Sequence, residues 1–297
     1  MNRKLFIKPY HGYGDWIIIN GMVRFFTTKY EEVNLITDGG DIKFIQNLYR
    51  DSSKVRYVSS HEAQKNFEQF VAFGISTPNL YVDYLNLEIW EQTQENTPKN
   101  FYNRYKQLGK KFNLETINVG SDCYKKTDPC HNFSEHCKPI MENNASAFYV
   151  AAGVPKQCRV ENFYYERDFE SENSFFENMN LSKEYVVICE YGSNLIDRKY
   201  IKNKQLEIVN VNNISEKYFD VIKIIENAKE VHLIENSIAL LVYHLQYKNL
   251  MNTIPINIHT YSRQESVRKC SSLDKSNIYL DMFNFPSLLN WSFIYSE

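Results

Sequence analysis

No apolar run of about 18 residues occurs anywhere in this 297-residue chain, which excludes a transmembrane helix at the sequence level. A long apolar run is also missing behind the basic residues of the N-terminus, so no signal peptide is expected. An excess of one charge is missing too. At a net −2 there is no general electrostatic case for nucleic acid or an anionic membrane as partner. Six cysteines in a chain of this size give no disulfide-scaffold signal, and a reducing cytoplasm is the expected location. What the chain does have is length for a substantial core, in one large domain or two of about 150 residues. Its 22 tyrosines and 19 phenylalanines suit either cores or sugar-stacking surfaces.

The stretch around which the rest is organised runs from Lys4 to Phe26. Leu5, Phe6 and Ile7 form an apolar run that suits a buried parallel strand. His11, Gly12, Tyr13, Gly14 and Asp15 follow. Trp16, Ile17, Ile19, Met22, Val23 and Phe26 then recur at helical spacing, predicting a helix that starts at the aspartate. Such a strand–turn–helix unit puts its turn at the carboxyl edge of a sheet, where open α/β sheets bind ligands. Glycines there let backbone approach a ligand, and the helix N-terminus attracts anions. An anionic Asp15 suits the dipole but repels phosphate, so it reads as a helix cap or as a base.

Further on, Val33–Thr37 and Val55–Val58 read as strands around a helix from Ile42 to Tyr49, a βαβαβ start that argues for a parallel, doubly wound layer. Phe70–Ile75 and Leu80–Leu85 are further strand candidates, Phe101–Phe112 a helix, and Ala145–Gly153 a helix stopped by Pro155. Glu172–Asn180 reads as a polar helix-like piece, within the residues 165–183 that read as the linker. Tyr185–Cys189 restarts the pattern at the head of a second α/β unit. Strands at Leu206–Val211, Glu230–Ile234 and Pro255–Thr260 follow, with helices at Tyr218–Asn227 and Ile238–Leu245. Phe285–Tyr295 is an apolar tail, expected to pack back on the first half.

Two turns of the second half face one sheet edge. Gly192, Ser193 and Asn194, with Arg198, offer backbone N–H groups, a hydroxyl, an amide and a guanidinium fork, the donors a diphosphate needs. Glu235, Asn236 and Ser237 open a helix. There the dipole and N–H groups suit phosphate, Asn236 and Ser237 can donate to its oxygens, and Glu235 can accept from sugar hydroxyls. Ser237 is equally a good cap, and an arginine such as Arg198 is otherwise a solvated surface residue.

Cys123, Cys130, His131, His136 and Cys137 lie close together in an irregular segment and could supply soft metal ligands. None of the close pairs has the C-x-x-C spacing of a zinc knuckle, so a surface insertion with incidental thiols is the plainer reading and no metal is assigned. His232, inside a strand, reads as structural. Trp16, Trp90 and Trp291 read as core before sugar platforms.

The N-terminal stretch resembles the opening of the heptosyltransferase-type (family 9) glycosyltransferases of GT-B fold, with a strand, a small-residue turn ending Gly-Asp, and a helix. The resemblance implies that Asp15, preceded by Gly14, is the base that deprotonates an acceptor hydroxyl. The two C-terminal turns are similar to that family as well. Gly192, Ser193, Asn194 and Arg198 match a Gly with two hydroxyl residues and a later basic residue, with Asn194 in place of one hydroxyl. Glu235, Asn236 and Ser237 match an acidic–polar–Gly turn, with Glu for Asp and Ser237 for Gly. Leu240 stands where the family has a histidine.

The expected architecture is α/β, with two doubly wound Rossmann-like domains facing each other across a cleft. Residues 1–170 form the acceptor side, 183–284 the nucleotide-sugar side, and 285–297 the tail. The expected activity is inverting, metal-independent transfer of a sugar from a nucleotide-diphosphate donor to a glycan or other hydroxyl acceptor, with no cofactor. His11, Gly12, Tyr13 and Gly14 would line the acceptor or phosphate side. A dinucleotide-dependent oxidoreductase is one alternative, weakened because Ile17 fills the third glycine position of G-x-G-x-x-G. A non-catalytic sugar-binding or assembly module is the other.

Overall fold

The computed structural model describes residues 4–7, 12–37, 42–58, 80–83, 115–118, 149, 154–155, 157–190, 195–213, 218–234, 236–259 and 290–294. The candidates at Phe70–Ile75 and Phe101–Phe112, the Cys/His segment and Trp90 lie outside the described residues, as does all of Ala145–Gly153 except Tyr149. The chain divides into two compact units, the first ending at Phe163 and the second running from Tyr164. Each contains a parallel sheet, so the doubly wound α/β class expected from the sequence is the one observed.

In the first unit the strands are β1 (Lys4–Ile7), β2 (Glu32–Ile36), β3 (Val55–Val58), β4 (Leu80–Asp83) and β5 (Glu115–Asn118). Helix α1 (Tyr13–Thr27) joins β1 to β2, and α2 (Ile42–Leu48) joins β2 to β3. All described pairs are parallel, in the order β3-β2-β1-β4-β5. Leu5 and Ile7 of β1 and Val33 and Leu35 of β2 are buried, as strands covered on both faces require. On α1 every apolar position named from the periodicity is buried, and Ile18, Asn20 and Gly21 are buried beside them. Gly21 is there because a short helix, α3 (Cys158–Glu161), crosses at that point. A Cβ at residue 21 would sit 2.0 Å from the Cys158 carbonyl oxygen.

The second unit opens on α4 (Phe169–Asn178), within the stretch expected to be linker. Asp168 caps it, accepting from the Ser171 N–H at 3.1 Å. Arg167 holds this entry segment in place. Its guanidinium meets fully buried Glu172 of α4 and also Glu226 of α5 (Val221–Glu226), with Nη1 at 2.9 Å from Glu226 Oε1 and 3.1 Å from the Leu250 carbonyl. The strands are β6 (Tyr185–Cys189), β7 (Glu207–Asn210), β8 (Glu230–Ile234), β9 (Ile256–His259) and β10 (Trp291–Ile294), in the order β10-β9-β8-β6-β7. Central β6 and β8 are buried at every residue, whereas edge strand β7 exposes Glu207 and Ile208. Helix α6 (Ser237–Tyr247) follows β8 and ends in a Schellman turn. Asn249 takes φ 54° there, and the Leu250 N–H reaches back to the Leu245 carbonyl at 2.8 Å.

The tail departs from expectation. Trp291–Ile294 pairs in parallel with β9 as an edge strand of the second sheet, and Trp291 Nε1 donates to Gln246 Oε1 at 2.8 Å. Pairing with an open sheet edge satisfies backbone groups, which packing of side chains alone does not.

Candidate functional site

Each sheet has one place where the strand order reverses, and the crevice beyond the carboxyl ends at that place is where open α/β sheets hold ligands. In the first sheet it lies between β1 and β4, and the chain leaving β1 enters α1. The helix is capped by Gly12, at φ 159° and ψ 146°, with no side-chain bond. Its carbonyl accepts from the N–H groups of Asp15 at 3.1 Å and Trp16 at 3.2 Å. Asp15 is therefore the third helical residue, and the N-cap reading of it is corrected. A cap must precede the helix, whereas Asp15 lies inside the first turn, where the dipole favours its charge.

The Asp15 carboxylate lies back over the cap. A Cβ at residue 12 would come within 3.1 Å of its Oδ2, so glycine at 12 leaves the space the carboxylate uses. Asp15 and Gly14 are half-buried, while Tyr13 is exposed and stacks on Phe44 of α2 at 4.2 Å between ring centroids. His11 lies outside the described residues. Trp16 is fully buried and serves the core.

In the second sheet the reversal lies between β6 and β8, whose carboxyl ends pair Cys189 with Leu233. Asn236 follows β8 and caps α6, its Oδ1 accepting from the Ala239 N–H at 3.0 Å. Its Nδ2 donates to Cys189 Sγ at 2.9 Å, tying the ends of the two strands together. Burial pushes the Cys189 thiol up to about 11, so it stays protonated and acts as an acceptor in the staple, not as a nucleophile. The amide of Asn236, expected to donate to phosphate, is thus occupied. A β-extended residue just ahead of a helix turns its side chain back over the first turn. The first-turn N–H groups of Ser237 and Ile238 precede the first intrahelical bond of α6, as at any helix start.

Gly192, Ser193, Asn194 and Glu235 lie outside the described residues. The described residues on either side of the first three are joined by one that the sequence reading passed over. Glu190, 8% exposed at the end of β6, accepts from the Ile196 N–H at 2.7 Å and from Arg198 Nη1 at 2.8 Å and Nη2 at 3.1 Å. Arg198, expected to clamp a diphosphate, spends its fork on this carboxylate. Its side chain is nonetheless 47% exposed. The signal was present as an acid and a base eight residues apart, flanking a glycine turn. Coil spacing does not say whether two such groups meet.

From the backbone of residues 202–203 a buried polar chain runs into the second sheet. Glu230 accepts from the backbone N–H groups of Lys202 at 2.9 Å and Asn203 at 3.0 Å, and its Oε1 lies 2.7 Å from His232 Nε2. His232 Nδ1 lies 2.8 Å from His259 Nε2. With Glu230 ionised, His232 donates to it through Nε2 and accepts from His259 through Nδ1, so both rings are neutral. Burial raises the Glu230 carboxyl, but the bonds from Lys202, His232 and Asn203 outweigh it and hold the group at about 2. Burial, then the neighbouring His232, pulls His259 down to about 4, and burial also lowers His232. His232 is the structural residue it was read as.

This chain makes the second unit acid-sensitive. Between the ordinary histidine value and about 4, the unfolded chain holds a proton on residue 259 that the folded chain refuses. Stability is therefore complete above the ordinary value and falls as pH drops through that window, by up to roughly 3 kcal/mol for this one group. Urea denaturation of the second unit at pH 7 and pH 4.5 should show the loss, and His259→Gln should flatten it. An unchanged pH slope in that variant would assign the loss elsewhere.

No protein-family model matches the chain, and no curated protein matches it in sequence. Among solved structures, it is similar to the glycosyl transferase family 9 protein of Veillonella parvula DSM 2008, at TM-score 0.50 and 8% identity, over 100% of this chain and 87% of that one. It is also similar to UGT89C1 of Arabidopsis thaliana, solved with UDP, at TM-score 0.45 and 7% identity, over 99% of this chain and 86% of that one. At such identity a likeness speaks of architecture alone. The chain has the GT-B type of fold found in a family 9 glycosyltransferase.

Proposed function

We propose that the chain is an inverting, metal-independent glycosyltransferase that moves a sugar from a nucleoside-diphosphate donor to a hydroxyl of a glycan or other acceptor. The observation that carries this reading is the reversal point of the second sheet. There Asn236 caps α6 and ties the carboxyl ends of β6 and β8 together, while the chain leaving β6 is held by the Glu190–Arg198 pair. The fold shared with a family 9 glycosyltransferase supports it.

In this reading Asp15 takes the proton of the acceptor hydroxyl, and the freed oxygen attacks the anomeric carbon in line with the leaving group. The carbon–oxygen bond to the diphosphate breaks, its electron pair stays on the phosphate oxygen, and the anomeric centre inverts. The departing charge is met by the N–H groups of Ser237 and Ile238, the Ser237 hydroxyl and the outward N–H groups of Arg198, which makes a metal dispensable. Gly192, Ser193 and Asn194 complete the phosphate side, and Glu235 accepts from sugar hydroxyls. Asn236 and Glu190 act one step back by fixing these donors.

Calorimetric titration with a panel of nucleoside diphosphates, nucleotide sugars and NAD tests the reading. Saturable binding of one nucleoside diphosphate and its sugar conjugate is expected. Preference for NAD would turn the assignment to an oxidoreductase, and binding of free glycan without any nucleotide would turn it to a non-catalytic module.

A further inference from the structure

Among the arrangements that the reaction scheme does not use, one bears directly on the helix that carries Asp15. Tyr149, fully buried and 127 residues from its partner in sequence, places its hydroxyl against the middle of α1. It accepts from the Met22 N–H at 3.0 Å and donates to the Ile18 carbonyl at 2.8 Å. Ile18 and Met22 are the two ends of one i to i+4 step of the helix ladder. A side chain bonding at such a step is among the identifiable causes of a change in helix direction. At the same level Gly21 receives the Cys158 carbonyl, so α1 is gripped at its middle by two elements far along the chain. The turn ahead of that grip carries Asp15.

We propose that Tyr149 is a positioning residue, its hydroxyl bridging Ile18 and Met22 so that the first turn of α1 presents Asp15 in its working direction. The proposal rests on the reading of Asp15 as the base. Stability alone is a poor reason for the hydroxyl, because with phenylalanine at 149 the Ile18 carbonyl and the Met22 N–H still have each other as i to i+4 partners of the continuous helix. The ring would still fill its place. What changes is the path of the helix between residues 18 and 22, and with it the aim of everything N-terminal to it. Burial keeps the hydroxyl protonated, so it can donate and accept at once.

The test is Tyr149→Phe in the full-length chain, read in two ways. The first is the carbon-13 NMR titration of the Asp15 carboxyl, which needs no activity. The second is transfer kinetics with the donor identified by calorimetry. A displaced Asp15 should titrate about half a unit or more away from its wild-type midpoint. Transfer should lose about tenfold or more in kcat, with donor Kd held within about twofold. An unchanged Asp15 titration and unchanged kcat, with only a lower Tm, would make Tyr149 an ordinary core residue and overturn the proposal. If the wild type transfers no sugar from any donor, the functional reading falls, and the titration still decides whether Tyr149 places the carboxylate. Should the variant fail to fold, the wild type decides it. A slowly exchanging Tyr149 hydroxyl proton with a nuclear Overhauser contact to the Met22 amide supports the bridge, and its absence overturns it.

Discussion

Asp15→Asn should reduce sugar transfer by about a thousandfold, within the range general-base catalysis supplies, while donor binding stays within about twofold of wild type. The substitution keeps the size and shape of the side chain, replaces one acceptor oxygen by an NH2 donor, and removes the charge and the proton-accepting carboxylate. Its structural cost is small, because one acidic residue in a helix's first turn is worth about 0.3–1 kcal/mol. The cap itself is the Gly12 carbonyl, which the substitution does not touch. A thousandfold loss corresponds to about 4 kcal/mol of barrier, several times that structural cost, so the two origins separate cleanly. Donor affinity measured by calorimetry and kcat measured by product formation give the pair of numbers. Equal loss of both would place Asp15 in the donor site, and retained transfer would reduce it to a residue of the helix start.

Arg167→Ala should destabilise the second unit by about 3–5 kcal/mol, the cost of leaving a buried ion pair half-made. Glu172 is fully buried, and its neighbours include Glu226 and Asp220, so removal of the guanidinium strands acidic groups in one place. Burial already raises the Glu172 carboxyl in the intact protein, with Arg167 opposing it. Without Arg167 it rises further, and the folded variant then binds a proton that the unfolded chain at the same pH does not. Stability of the variant should therefore recover as pH falls from 7 to 5. Arg167→Lys should rescue little, since a single ammonium cannot reach Glu172, Glu226 and the Leu250 carbonyl together. Removing both charges in Arg167→Met/Glu172→Met should restore more than half of the loss. Urea unfolding of the second unit measures each case. A cost below about 1 kcal/mol for Arg167→Ala would mean the cluster behaves like a surface ion pair.

Much of the fold was legible because its central strands are buried on both faces. Tyr185–Cys189 carries that burial as an apolar run that needs no tertiary knowledge to read, and Glu230–Ile234 keeps three apolar residues around the buried Glu230 and His232. Helix α1 was legible through its period, though its start was not. The signal of an aspartate at a helix entrance is the same whether the residue caps or sits two positions inside, and only the glycine's carbonyl bonds distinguish them. Strand β5 (Glu115–Asn118) passed unread, since its single apolar residue, Ile117, shows no run or alternation. The tail's apolar character was visible but its destination was not, because any open edge can take a strand. Of the site, the positions of the turns were legible and their internal pairings were not. Glu190 with Arg198, Asn236 with Cys189, and Tyr149 with Ile18 and Met22 are contacts made by folding, and the last two span 47 residues or more.

These pairings also sort the candidate residues by role. Groups that turn inward, such as the Asn236 amide and the Glu190 carboxylate, fix the loops. In the proposed reading, the Ser237 hydroxyl and the first N–H groups of α6 are the ones left to meet a ligand. That division is why Ser237→Ala is a better probe of donor contact than any change at Asn236, which would also undo the cap.

The most direct measurement is the proton NMR spectrum of the sugar product formed from a purified nucleotide sugar with excess chelator present. Transfer through Asp15 and the α6 turn predicts a product of opposite anomeric configuration to the donor, formed at an undiminished rate without free metal. A product of retained configuration, or one formed only when divalent metal is restored, would contradict it.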